Sequence, residues 1–457
     1  MVYTDLFFLL ALLPLTVIVS FFDESAEYKN MVLIISGLIF ISWGRPVAVL
    51  LILLSFIFDW AMGLIVGALR DKSKAGAAAF LMLDMLWNAA IFIVYTRADV
   101  ISLPERLTLK SSLIPLAMGY YVLRAFSYVY DVYKGEAAEK NPLCLLTYMV
   151  SFHFMMCGPV IRYKDIKAQI RERRATGSML SSGFDHIITG LAKVVLLGYA
   201  LRLVKLTGLE GNDVTFFGCW LGMAAFFGEA YFTLSGLCQM SLGMGQLNGF
   251  TYKRNFDDID SRELFTGLVK GYNTSVTSFF REAIYEPFKD KKIAGAVMAF
   301  ICCVAVAAWY SFSKPALLVG AVVGAVVVLE LLLLKDKLTK LPAGVRYIYM
   351  IILTMLIFGV LYFGTVYGWR KWVFGLVGVG DKYFISKQMK RVLLSNLFIY
   401  IAGLAGYIPF TRGLIAKGLE RLKSRSKETY TAVELCKTLI KALLLVMCIA
   451  AIIVRKM

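Results

Sequence analysis

The chain has 457 residues, of which 59% are hydrophobic and only 18% charged, with a mean hydropathy of +0.71. Soluble domains average about 25% charged and about 45–50% apolar residues, which excludes a single water-soluble core, a disordered chain, a coiled coil and a secreted disulfide scaffold. Forty-nine Lys and Arg against 31 Asp and Glu give a net charge of +18, but the basic residues sit in short loops between apolar runs, as the positive-inside rule expects, and not in a basic soluble domain that would bind nucleic acid.

A membrane-spanning helix requires about 20 mostly apolar residues. Such runs occur near 6–22, 47–69, 76–96, 113–133, 143–161, 185–207, 293–312, 316–334, 345–364, 393–410 and 439–454. The expected fold is an all-α polytopic membrane protein with about eleven transmembrane helices, forming one membrane-embedded domain over 1–457. Asp5 precedes the first run, with no basic n-region and no obvious cleavage site, so that run is expected to stay as a helix. Segment 31–43 is short and ends at Trp43-Gly44-Arg45-Pro46, which suggests an interfacial or half-spanning helix. Segment 216–250 exceeds one span and carries seven glycines from Gly218 to Gly249. The expectation there is a broken stretch with a re-entrant piece, of the kind that lines a cavity. Residues 251–292 form the longest polar stretch and read as amphipathic helices at the cytoplasmic face.

The loops set an expected topology. Loops 162–174, 281–292, 335–346 and 412–429 are rich in Lys and Arg and are assigned to the cytoplasm. Keeping 162–174 on that side requires 216–250 to cross once net.

Eight cysteines (Cys144, Cys157, Cys219, Cys238, Cys302, Cys303, Cys436 and Cys448) lie in or beside apolar stretches without a C-x-x-C pair. They read as small buried hydrophobes, and neither a metal site nor a redox motif is expected. Of the two histidines, His153 sits in the aromatic run Ser151-Phe152-His153-Phe154, and His186 follows Asp185 at the start of a span. Both settings suit structural histidines. No H-E-x-x-H, G-x-S-x-G or Walker loop occurs. Charged groups inside the apolar runs are Asp59, Asp84, Arg124, Asp131, Lys193, Glu229 and Glu330. Each costs about 2.5–3.5 kcal/mol at bilayer depth, so they are expected to face protein or water. Arg124 and Asp131 stand seven residues apart, two turns along one helix face. A polar path and a set of internal pairs both account for such charges.

Four stretches follow one another over roughly 110–325. The first is Ile114-Pro115, running on to Ser127-Tyr128, Asp131, Tyr133 and Gly135. The second is Gly158-Pro159-Val160-Ile161-Arg162-Tyr163. The third runs from Tyr231-Phe232-Thr233-Leu234-Ser235-Gly236 through Met240-Ser241-Leu242-Gly243 to Gly249-Phe250. The fourth contains Asn255-Phe256, Tyr272-Asn273-Thr274-Ser275 and Phe280-Arg281-Glu282. In order and spacing they resemble the membrane-bound O-acyltransferase superfamily, in the bacterial branch of alginate O-acetylation and teichoic-acid D-alanylation.

That resemblance implies helices, some re-entrant or interfacial, around a central polar tunnel. Through it an acyl group passes from a thioester or carrier donor on one side of the bilayer to a hydroxyl on the other. No bound cofactor is implied beyond that acyl donor. The implied partners are the lipid bilayer, an acyl-donor or carrier protein and cell-surface polymer machinery, with no nucleic acid. The tunnel residues it points to are Arg162, Thr233, Ser235, Gln239, Ser275 and Arg281, together with Arg124 and Asp131. Relatives use a histidine base, whose pKa near 6.5 suits neutral pH. Here Asn273 stands at one catalytic position, and Tyr310 of Ala308-Trp309-Tyr310-Ser311 at the place of the near-invariant histidine, with Gly320 and Gly324 following.

A phenol of pKa about 10 is roughly 0.1% ionised at pH 7, and losing a positioned base costs about 10²–10⁴-fold. The expected function is a membrane protein of a polymer O-acylation pathway, impaired in catalysis and acting in binding or assembly. The alternative is an active O-acyltransferase with a relocated base such as His153, five residues before Gly158. A transporter sharing only the hydropathy is the third reading, and the ordered motifs weigh against it.

Overall fold

The computed structural model describes residues 1–43, 47–96, 114–156, 160–210, 215–256, 264–363, 366–379, 383–407, 409–424 and 426–456. These contain no strand. Helices follow one another as α1 (Phe8–Ser20), α2 (Ala26–Ser42), α3 (Val47–Leu69), α4 (Lys74–Thr96), α5 (Ile114–Lys134), α6 (Pro142–Val150), α7 (Phe152–Met155) and α8 (Tyr163–Arg171). Two long helices come next, α9 (Gly177–Leu209) and α10 (Phe216–Leu247). Then come α11 (Phe265–Gly271), α12 (Thr274–Phe280), α13 (Lys292–Tyr310), α14 (Lys314–Leu338), α15 (Ala343–Tyr362), α16 (Val366–Val377), α17 (Lys387–Ser395), α18 (Leu397–Tyr407), α19 (Pro409–Lys423) and α20 (Lys427–Lys456).

Eight of these helices are long and apolar enough to cross a membrane: α3, α4, α9, α10, α13, α14, α15 and α20. Their apolar faces are largely uncovered by protein. In α20 only 11% of the apolar window is buried, and Leu439, Leu443 and Val446 are 60–63% exposed. Such faces match lipid, not water. The chain is an all-α, multi-pass membrane protein.

Several expected spans take another form. The 143–161 run is divided at Ser151, whose extended backbone separates α6 from the one-turn α7. The 393–410 run is likewise distributed over α17, α18 and α19. Helix α1 is short, and α5 carries Arg124, Asp131 and Lys134; neither is among the eight. Segment 31–43 belongs to α2, which starts at its Ser25 cap and is 17 residues long. At 1.5 Å per residue it spans about 26 Å, just short of the roughly 30 Å hydrocarbon core. Residues Gly44, Arg45 and Pro46 lie outside the described residues.

Segment 216–250 is not broken: α10 is one helix of 32 residues. Its glycines are contact points. A Cβ on Gly208 of α9 would lie 2.3 Å from the Gly218 carbonyl oxygen, one on Gly236 would meet the Gly190 carbonyl at 2.7 Å, and one on Gly243 the Gly183 carbonyl at 2.4 Å. Small residues let membrane helices approach backbone to backbone, so antiparallel α9 and α10 need glycine where they touch. Gly320 and Gly324 of α14 do the same against α13, at Ala307, Val304 and Phe300.

The chain packs as two compact units. One comprises Met1–Ile187 with Leu237–Asn255, the other Ile188–Gly236 with Phe256–Met457. The first is built around buried rings, including Tyr3, Phe8, Phe40 and Phe152. The second has a core of Leu209, Cys219, Met223, Val360, Phe363 and Trp372.

Candidate functional site

In the second unit, three pieces of chain converge on Asn273. The first turn of helix α11 rests on Glu330 of α14, whose carboxylate oxygens accept from the backbone N–H groups of Phe265 (3.1 Å) and Thr266 (2.8 Å). A carboxylate there satisfies donors that a helix N-terminus leaves open. After α11 the chain turns at Asn273, with φ 51° and ψ 59°. Asparagine tolerates this left-handed conformation better than most residues. The Asn273 carbonyl accepts from Val276 and Thr277 N–H, both at 3.1 Å, and so opens α12.

The turn leaves the Asn273 side chain out of the cap. Its amide Nδ2 donates instead to the Tyr310 hydroxyl at 2.5 Å. Tyr310 is the last residue of α13, placed there because Ser313 caps α14, accepting from Ala316 N–H, and Pro315 follows. Aromatic rings wall the pair. Tyr272 lies 5.2 Å from Phe256, 6.1 Å from Tyr231 and 6.5 Å from Tyr310 between ring centroids, and Trp309 is 4.9 Å from Tyr310. Asn273 is 1% exposed and Tyr310 half-buried. An amide carbonyl and a phenol offer one acceptor and one donor to an oxygen function. Neither takes up a proton as an imidazole does.

The remaining expected tunnel residues are placed as follows. Asp131 is held by Arg162 at 2.9 Å and by Lys164 at 3.2 Å. Arg124, fully buried, donates to the Tyr148 and Met149 carbonyls at 2.9 and 3.2 Å. These carbonyls belong to the last turn of α6, where a cation complements the helix dipole. Arg124 and Asp131 therefore serve different partners despite sharing a helix face. Ser235 is 5% exposed, and its hydroxyl meets no partner among the described residues. Thr233 and Gln239 are half-buried on α10, and Ser275 is half-buried on α12. Arg281 pairs with Glu286 at 3.2 Å, and Lys205 of α9 neutralises Glu229 at 2.6 Å.

His153 belongs to the first unit and is fully buried. Its ring packs on Phe154 at 4.1 Å and Phe250 at 5.1 Å, and neither ring nitrogen has a partner among the described residues. A histidine base is normally oriented by a group bonded to its second nitrogen. Gly158 and Pro159 lie outside the described residues, as do 257–263.

The sequence reading missed Glu139, which sits in the connection between α5 and α6. It accepts from the Tyr163 hydroxyl at 2.6 Å and from Arg171 at 2.7 Å. Burial favours its neutral form, but hydrogen bonds from Tyr163, Asn141 N–H and Arg171 hold the carboxyl below its ordinary value. Its only signal was a glutamate in a short loop. Among the described residues, no cluster of three or more His, Cys, Asp or Glu is able to hold a metal ion.

No family model matches the chain. Individual relatives do. A probable alginate O-acetylase, AlgI, of Pseudomonas aeruginosa is 27% identical over 297 residues, covering 62% of this chain and 56% of the relative. Its counterpart in Pseudomonas syringae pv. tomato is 26% identical, covering 62% and 57%. A peptidoglycan O-acetyltransferase of Helicobacter pylori is 20% identical over 326 residues, covering 63% and 61%. The chain is similar to bacterial MBOAT-type O-acetylation membrane proteins. It spans less than two thirds of the length of each of these O-acetylation relatives.

Proposed function

We propose that this chain is a membrane component of a cell-surface polymer O-acylation pathway, in which the Asn273–Tyr310 pair binds and positions an oxygen function without serving as a general base. The observation that carries this reading is the 2.5 Å hydrogen bond from the Asn273 amide to the Tyr310 hydroxyl. It joins the two positions that the resemblance marks as catalytic and fills them with groups that do not titrate near neutral pH. The surrounding rings suit a sugar face or an acyl chain. Binding or assembly of polymer machinery is the role that follows, with the Lys/Arg-rich loops at the cytoplasmic face. The second reading, transfer from an acyl thioester with His153 as base, has two open ring nitrogens to take up a proton but no group that orients the ring.

The test is acyl transfer by purified protein, given an acyl thioester and co-expressed surface polymer. Wild type is compared with His153→Ala, Asn273→Ala and Tyr310→His, and polymer retention is measured in parallel. We expect no transfer by wild type, measurable transfer by Tyr310→His, and polymer retention weakened by about tenfold or more in Asn273→Ala. Transfer by wild type that disappears in His153→Ala overturns the proposal.

A further inference from the structure

In the first unit, Asp59 lies at the middle of α3 and Asp84 at the middle of α4, and both are fully buried. Bilayer-depth carboxylates pair with cations or mark ion sites. No ion pair reaches either one among the described residues. Arg124, on neighbouring α5, turns its guanidinium to the Tyr148 and Met149 carbonyls. The groups around the two carboxylates are neutral. Ser55 donates to Asp59 Oδ2 at 3.2 Å, and Asn88 Nδ2 donates to Asp59 Oδ1 at 3.0 Å and to Asp84 Oδ2 at 3.4 Å. The two carboxyl groups also lie within hydrogen-bonding reach of each other.

A second observation is independent of the acidic charge. Asn88, 1% exposed and set between the carboxylates, has a buried carbonyl oxygen with no hydrogen-bond donor, and Asp84 Oδ1 likewise has none. Orphaned buried acceptors call for an ion or water. One proton shared by the pair joins two carboxyl oxygens and leaves the Asn88 oxygen unmet. Asn88 Nδ2 also donates to the Asp84 main-chain carbonyl at 3.1 Å, and a half-turn of the amide, which keeps its shape, presents the oxygen to both carboxylates and to that carbonyl, a set of acceptors that only a cation joins.

We propose that Asp59, Asp84, Asn88 and Ser55 form a binding site for one hard metal cation between α3 and α4. All the ligand atoms are oxygens, which select alkali and alkaline-earth ions over zinc or copper. A divalent ion balances both carboxylates, whereas a monovalent one balances them together with one proton.

The experiment uses the full-length protein in detergent, unfolded thermally in choline chloride with chelator. It is repeated after adding sodium, magnesium or calcium chloride at constant ionic strength. We expect one ion to raise the midpoint saturably by about 2–8 °C, with about one radiolabelled ion bound per chain. The shift is lost in Asp59→Asn and Asp84→Asn. A wild-type midpoint unchanged by all three ions, with no ion bound, overturns the proposal, and so does a shift that survives in both variants. The wild-type titration decides even where a variant does not fold. Because no step reads acyl transfer, the outcome is separate from that of the Asn273–Tyr310 reading.

Discussion

Glu330 links a buried charge to the geometry of the candidate site. The residue is 1% exposed, and both of its carboxylate oxygens bond backbone N–H groups at the start of α11, the helix that leads into Asn273. The Tyr349 hydroxyl meets the same carboxylate. In Glu330→Ala both N–H groups lose their acceptor inside the protein. Each unmet donor costs about 1–3 kcal/mol, which gives a destabilisation of about 2–6 kcal/mol. Glu330→Gln keeps one acceptor oxygen and should cost about 1–3 kcal/mol. Reversible unfolding in mixed micelles, followed by tryptophan fluorescence, measures both. An Ala variant within about 0.5 kcal/mol of wild type, the range of an inert substitution, refutes the capping argument. Equal costs for Gln and Ala would show that charge, and not the number of acceptors, is what α11 uses.

Arg124→Lys should destabilise by about 2–4 kcal/mol, because a single ammonium does not span the Tyr148 and Met149 carbonyls as the guanidinium fork does; the same unfolding assay reads it. Gly243→Ala should cost about 1–3 kcal/mol by forcing a Cβ into the Gly183 carbonyl, while Gly344→Ala, which meets open space in α15, should gain about 0.5–1 kcal/mol. The Lys167 hydrogen bond holds the Glu136 carboxyl below its ordinary value of 4.5. A depressed folded pKa means that the pair's contribution is present above that value and is lost as pH falls through the folded one. The exposed pair is worth no more than about 0.5 kcal/mol, and an acid titration of stability should lose that small arm in Glu136→Gln.

The helical, membrane-embedded character was legible because apolar runs of spanning length do not fit another class. Glycine is where composition and packing part company. Seven glycines in 216–250 predict a broken segment, yet Gly218, Gly236 and Gly243 lie on one continuous helix, each facing a backbone carbonyl or glycine of α9. Hydropathy carries no information about such close approach. It also missed the break at Ser151, which a backbone conformation makes and not a polar segment. Asn273 and Tyr310 were placed by motif order, 37 residues apart, and the structure joins them. The partners of Arg124 were out of reach, since main-chain carbonyls at a helix end leave no mark in the sequence.

The glycine contacts between α9 and α10 also constrain how this chain can change in length. One residue inserted within α10 rotates everything beyond it by about 100°. Within the second unit, an insertion between Gly222 and Gly236 would lift Gly236 off the Gly190 carbonyl and turn a bulkier side chain into its place, while leaving Gly218 on Gly208. Lengthening the connection between the two helices disturbs neither contact. Insertions and deletions that survive in variants of this protein should therefore collect in that connection, and the two helices should keep their lengths even where their lipid-facing residues drift.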